Sequence, residues 1–199
     1  MTTLFRYLVY APNGPAKGQL PRIINAEFSS PMNELSAATL EYNPLESNWD
    51  FLNYACELGV EMSVDGGATW TEIPNGRYLR LSREYERMNP KTHKMTLPGY
   101  GWMLNKAIQW KTTDLNDDGK RPFLSANVGT IIKTLLDEAQ ARGTLPGMTY
   151  AFTTAVDSAG AAWNKVITIY YEPGLSLYQV LDNLAQQGLC DWRFQGRQL

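Results

Sequence analysis

Through its first hundred residues the chain alternates short apolar runs with clusters of turn-forming residues, a rhythm that reads as β structure. Leu4–Tyr10 is rich in aromatic and branched side chains and stops at Pro12-Asn13-Gly14-Pro15, a strong turn cluster. Val60, Met62 and Val64 alternate with polar neighbours, the period of a half-buried strand. Further strands are expected over 22–28, 36–42, 58–64, 69–73 and 77–85. Short strands at this spacing favour a barrel or a sandwich over βαβ units. After Pro98-Gly99, residues 100–104 suit one helical turn and 107–110 one more strand.

Past residue 122 the apolar period changes to that of helices. Val128, Ile131, Ile132, Leu135, Leu136 and Ala139 form one stripe, with Arg142 at the negative end of the dipole and Gly143 as a left-handed stop. A second stripe, Leu177, Val180, Leu181 and Leu184, follows an S-x-x-Q capping box at Ser176 and Gln179. Leu175 is placed to staple onto Val180, and Gly188 ends the helix. The shared Leu-Asp-to-Gly skeleton of the two helices needs no duplication, since two amphipathic helices with one stop signal look alike. Strands are expected over 148–154 and 163–171, joined through Asp157-Ser158-Ala159-Gly160, and over 190–194 with Trp192 and Phe194 on one side. The expected class is α+β and β-dominated. A β-barrel or sandwich would occupy 1–110, a polar linker 111–122 and an α+β domain 123–199.

Composition places the chain among globular proteins: 199 residues, 44% hydrophobic, 12% aromatic and 19% charged. A net charge of −2 argues against a dedicated nucleic-acid binder. No apolar run approaches the roughly 18 residues of a membrane span. The opening MTTLFRYLVYAPNG has no basic leader or small-residue cleavage site, so the expectation is a chain made in the cytoplasm without a signal peptide. Charge is unevenly spread. Residues 1–76 carry nine acids against Arg6, Lys17 and Arg22, whereas 77–121 carry ten basic residues against five acids. Arg77, Arg80, Arg83 and Arg87, interleaved with Tyr78, Glu84, Tyr85 and Glu86, suit a solvated strand face or a contact with an acidic neighbour, in an oligomer or a partner, better than single-strand nucleic-acid stacking.

Residues with chemistry are few. Cys56 and Cys190 lack CxxC spacing, and a disulfide between them stays open. The single histidine, His93, lies in a polar stretch that reads as an exposed turn. Ser63-Val64-Asp65-Gly66-Gly67-Ala68-Thr69-Trp70 resembles the Asp-box of sialidases and related propellers, where the aspartate caps a hairpin turn; a stabilised hairpin is favoured over a glycan site. Asp114, Asn116 and Asp118 match the first half of a calcium loop. Its twelfth position is Ser125 rather than glutamate and Pro122 interrupts it, so a solvated linker is favoured. Glu84 with Glu86 and Asp117 with Asp118 make poor acid–base pairs, the first lying between arginines and the second in a linker. No phosphate loop, nucleophile elbow or H-E-x-x-H is written here. The expectation is a protein with no catalytic residue, resident metal or cofactor, and no enzymatic turnover.

A family comes into view in the second half. Phe123-Leu124-Ser125-Ala126-Asn127-Val128-Gly129-Thr130-Ile131-Ile132, continuing through Leu135-Leu136-Asp137-Glu138-Ala139 to Arg142-Gly143, resembles the segment that opens the second hub domain of siphophage minor tail proteins. Asp157-Ser158-Ala159-Gly160-Ala161-Ala162-Trp163 is similar in the same way, as is Gly174-Leu175-Ser176-Leu177-Tyr178-Gln179-Val180-Leu181-Asp182-Asn183-Leu184-Ala185 to Gly188, followed by Asp191-Trp192-Arg193. Met32-Asn33-Glu34-Leu35 extends the likeness more loosely into the first half. The resemblance implies a tail-tube-like β-barrel or sandwich followed by a smaller α+β hub domain, in a structural protein of the tail tip or baseplate of a long-tailed phage. It implies a homo-oligomer, most often a trimer, that closes the tail tube. Its partners would be the distal tail, tape-measure and receptor-binding proteins, with genomic DNA passing through unbound. An acidic lumen, supplied by residues 1–76, would let DNA slide. The alternative is a carbohydrate-binding or adhesin-like β module, motivated by the Asp-box and the aromatic supply.

Overall fold

In a computed structural model of the chain, all residues are described except 1, 21, 46–51, 83–84, 90 and 112. Turn residues and alternation build the first sheet. β1 (Leu4–Tyr10) turns at Pro12-Asn13-Gly14 into β2 (Ala16–Gln19), and on its other side pairs with β5 (Glu57–Ser63), which pairs with β6 (Thr71–Leu79). A second antiparallel sheet holds β3 (Ile23–Phe28), β4 (Ala37–Tyr42), β8 (Thr92–Pro98) and β7 (Glu86–Asn89), in that spatial order. The alternation of β4 shows why the sheets meet: Ala38, Leu40 and Tyr42 are buried while Ala37, Thr39 and Glu41 face outward. Those residues share one core with Val9, Leu58, Val60, Tyr78, Met95 and Leu97 from both sheets. Both four-stranded sheets are open at their edges, so the β part is an open sandwich rather than a closed barrel.

The chain forms two compact units: residues 1–100 with 193–197, and residues 101–192 with 198–199. In the second, β9 (Arg121–Asn127) and β10 (Val166–Tyr171) make an antiparallel pair. α1 (Val128–Ala141) starts at Asn127, whose side-chain oxygen accepts from Thr130 N at 2.8 Å. α2 (Leu177–Gln186) has the expected reciprocal capping box between Ser176 and Gln179. Both expected stops, Gly143 and Gly188, have positive φ. The two stripes face each other, Ile132, Leu135 and Leu136 meeting Leu177, Val180 and Leu181 around a small gap. Ser176→Ala is therefore expected to cost about 1 kcal/mol in a denaturant melt, through loss of the cap. Leu181→Ala, which opens the helix–helix contact, should cost about 2–5 kcal/mol.

Several expected elements differ in detail. The expected strands 69–73 and 77–85 are one continuous nine-residue strand, β6, which passes through Asn75 at φ 53°. β2 and the β7–β8 hairpin lie where no strand is expected, and His93 sits inside β8 rather than in an exposed turn. Over 107–110 and 148–154 only single bridges form, Ile108 with Ser176 and Thr149 with Gln198. Residues 190–194 make no ladder, although Trp192 and Phe194 are both buried.

Candidate functional site

The densest arrangement of charge lies inside the first unit. β5 runs apolar on most positions yet carries Glu57 and Glu61, and the fold surrounds each with guanidinium. Arg77, on β6, donates from Nη1 to Glu57 Oε2 at 3.0 Å and makes a two-point bond to Glu72, at 3.0 Å from Nε and 2.6 Å from Nη2. Its guanidinium carbon lies over the Tyr10 ring, 3.7 Å from the ring centre. Gly59 makes that stack possible, because a Cβ there would come within 2.8 Å of the Tyr10 ring. Arg6 pairs with Glu61, 2.6 Å from Nε to Oε2, and the Tyr10 hydroxyl donates to the other oxygen at 3.4 Å. Arg197 closes the network, donating to Glu57 Oε2 at 2.8 Å and to the carbonyls of Ala11 and Gly14. Asn13 N fills the remaining oxygen of Glu57 at 3.0 Å. Three carboxylates thus meet three guanidinium groups, each with directional bonds. Burial alone would lower the Arg77 pKa, but the Glu72 and Glu57 carboxylates reverse that, and it stands raised.

This geometry sorts the arginines expected to face a partner. Arg77 and Arg80 are each only 7% exposed, and Arg80 directs Nη1 to Met95 Sδ at 3.3 Å. Arg87 alone of the described three is exposed, on β7; Arg83 and Glu84 lie outside the described residues. Arg77 and Arg80 therefore do not join Arg87 on one outward strand face. Alternation along 77–85 suggested one, but Arg77 finds its carboxylates within its own sheet. The acidic block is altered in the same way, since Glu57, Glu61 and Glu72 are neutralised internally.

The other singled-out motifs are turns and packing. Asp65 accepts from Ser63 Oγ at 2.7 Å, Thr69 N at 2.9 Å and Thr69 Oγ1 at 2.5 Å, and Trp70 Nε1 donates back to Gly67 O at 3.0 Å. The Asp-box is a hairpin turn fastened by its own side chains. Bonds from Thr69 and Ser63 hold the Asp65 carboxyl well below the usual carboxylate range. Because its folded-state pKa is depressed, its stabilising effect is complete above the ordinary aspartate range and fades as pH falls through the lowered value. A carboxyl-carbon NMR titration should accordingly leave Asp65 ionised at a pH where exposed aspartates are protonated.

Asn116 Oδ1 accepts from Lys120 N at 2.7 Å and Asp114 pairs with Lys111 at 3.3 Å, so the calcium-like run forms a local turn. Among the described residues, no group of three His, Cys, Asp or Glu side chains is placed to hold a metal. Cys56 and Cys190 are both free thiols, which resolves the open disulfide. Burial, helped by Asp191, pushes the Cys190 thiol up to about 11. His93 is stacked on Tyr85 at 4.3 Å and meets the edge of Tyr42 at 5.7 Å, a packed ring in a strand.

No protein-family description matches the chain, and no curated protein matches it. Among solved structures it is similar to the prophage tail protein gp18 from Listeria monocytogenes, with 11% identity and a TM-score of 0.49 over 90% of this chain and 44% of that one. It is also similar to chains of two PdpA–VgrG complex structures, the half-lidded one from Francisella. The half-lidded form gives 9% identity, a TM-score of 0.49, and coverage of 94% of this chain and 28% of that one. The lidless form gives 10% identity, the same TM-score, and coverage of 94% and 32%. The chain thus spans less than half the length of each.

Proposed function

We propose that the chain is a structural subunit of a long-tailed phage tail tip or baseplate, part of the hub ring that closes the tail tube and mounts host-contacting proteins. The ring is a homotrimer and performs no turnover. The observation that carries this reading is the β7–β8 hairpin at the free edge of the second sheet. Every residue of β7 is exposed, Met88 at 51%, and the hairpin carries Arg87, Lys91 and Lys94. An exposed edge strand with an apolar side chain is an invitation to pair with another chain, and a closed assembly removes the hazard. Exposed acids of the first 76 residues, Glu34 among them, supply a complementary surface on a neighbouring copy. Arg87 keeps the contact role expected of it; Arg77 and Arg80 act within their own subunit.

The resemblance over 123–143 and 174–193 supports the same reading, and the Asn127 cap of α1, the capping box of α2 and the glycine stops after both helices are the physical content of those motifs. An acidic lumen would rest on the exposed acids of the first block, without Glu57, Glu61 and Glu72. Of the two features behind the carbohydrate-binding alternative, the Asp-box has Asp65 and Trp70 engaged in their own turn, while exposed aromatic rings such as Trp110 and Tyr170 remain in its favour. Antibodies to the purified chain should decorate the tail tip of phage particles that encode it. Decoration of the capsid, absence of the chain from purified virions, or hydrolysis of peptidoglycan by the pure protein would overturn the reading.

A further inference from the structure

The first unit has a cleft of about 500 Å³ where the sandwich is open, lined by 5–7 of β1, 19–20 at the end of β2, and 22–26 leading into and along β3. β2 is the edge of one sheet and β3 the edge of the other, and among the described residues each has a single strand neighbour. Four consecutive residues of β3, 23–26, line the cleft. β3 pairs with β4 on one side only, through a register irregularity between Ile23 and Asn25, and the unpaired backbone row of its other edge is left beside this space for a further strand.

The lining has two further properties. Phe5 is 42% and Ile24 53% exposed, and Phe5 packs edge-on against Phe28 at 5.6 Å, a fixed apolar wall left open to water. The charged members of the lining are Arg6 and Arg22, with no acid among them, although the surrounding segment of sequence is strongly acidic. Arg6 is held in place by Glu61, whereas Arg22 is exposed and makes no ion pair among the described residues.

We propose that this cleft takes an extended peptide segment of another protein, apolar at alternate residues and acidic between them, which adds as a strand to the edge of β3. Backbone bonds to the free edge supply affinity, the Phe5 and Ile24 wall takes the apolar side chains, and Arg22 selects the acidic ones. The inference needs only the fold of the first unit and is independent of the tail reading.

The test is a titration of the full chain, followed by backbone amide shifts, with three probes: a capped seven-residue peptide alternating valine and aspartate, the same peptide with lysine for aspartate, and free glutarate. The acidic peptide should bind with sub-millimolar affinity, shifting the amides of Gln19 and residues 23–26, about tenfold more tightly than the lysine peptide, a difference of ~1.4 kcal/mol. Arg22→Glu, with its melting temperature unchanged, should invert that preference. Absence of binding at millimolar peptide, equal affinity for both peptides, or shifts confined to other strands would overturn the proposal. So would glutarate binding as tightly as the peptide, which would make the cleft a plain anion site. A change in the chain's oligomeric mass in Arg22→Glu would likewise overturn it, by showing that a second copy covers the β3 edge.

Discussion

Asn75→Ala is expected to cost about 3–6 kcal/mol, from the side-chain bonds lost to a buried N–H and a part-buried carbonyl and from a left-handed residue that loses its local bonding. Asn75 sits in the middle of β6 at φ 53°, a conformation asparagine tolerates better than most side chains. Its amide donates from Nδ2 to Pro31 O at 2.5 Å and accepts from Phe194 N at 2.8 Å. Its backbone N–H donates to Phe194 O at 2.7 Å, and its carbonyl accepts from Ser36 Oγ at 3.2 Å. One residue thereby joins the loop before β4, its own strand, and the segment 193–197 that returns to the first unit. Asn75→Gly should recover about 1 kcal/mol of the loss by relieving the left-handed strain without restoring the lost side-chain bonds. Urea melts of the two variants against the parent check both numbers. A loss below about 1 kcal/mol for the alanine variant would mean that these bonds do not hold the returning segment.

Glu57→Ala is the second large effect, expected at about 3–5 kcal/mol, the range for breaking a buried ion pair by removing one partner. Glu57 is 2% exposed, and its loss strips bonds from Arg77, Arg197 and Asn13 N together. Arg77 keeps Glu72, which limits the damage on that side. Arg197 loses its only carboxylate partner among the described residues and keeps the Ala11 and Gly14 carbonyls. Arg197→Ala and Glu57→Ala should therefore be less than additive in the double variant, with a coupling of about 0.5–3 kcal/mol. Strict additivity in the melts would place the two side chains in separate environments and contradict the network.

What was legible in the sequence follows from how local each signal is. β1, β3, β4 and β5 were readable because branched and aromatic residues alternate within them and turns close them. α1 and α2 were readable because stripe, cap and stop all fall within a few residues of one another. β2 reads Ala-Lys-Gly-Gln and β7 reads Glu-Arg-Met-Asn, edge strands with little apolar signal, each made a strand by the neighbour it pairs with. Pro74-Asn75-Gly76 looked like a break in a strand, yet Phe194, far away in sequence, supplies the bonds that let β6 run through it. The charge network was hidden for the same reason, since Glu57 and Arg197 stand 140 positions apart and no window contains both. The only local hint was acid on a strand, Glu57 and Glu61 among apolar neighbours, which asks for a buried cation. The charge of Arg77 is plain in the sequence, but its burial beside Glu57 and Glu72 depends on strand pairing that no local window contains.

The proposed ring is best tested by sedimentation of the purified chain over a wide concentration range, with negative-stain images of the same sample. The expected result is a closed species of three 22.4 kDa chains that persists on dilution and appears as a ring. Arg87→Glu on the β7 hairpin should dissociate the ring while the melting temperature of the chain is kept. A chain that sediments as a monomer at every concentration, or a ring indifferent to Arg87→Glu, would contradict the proposal.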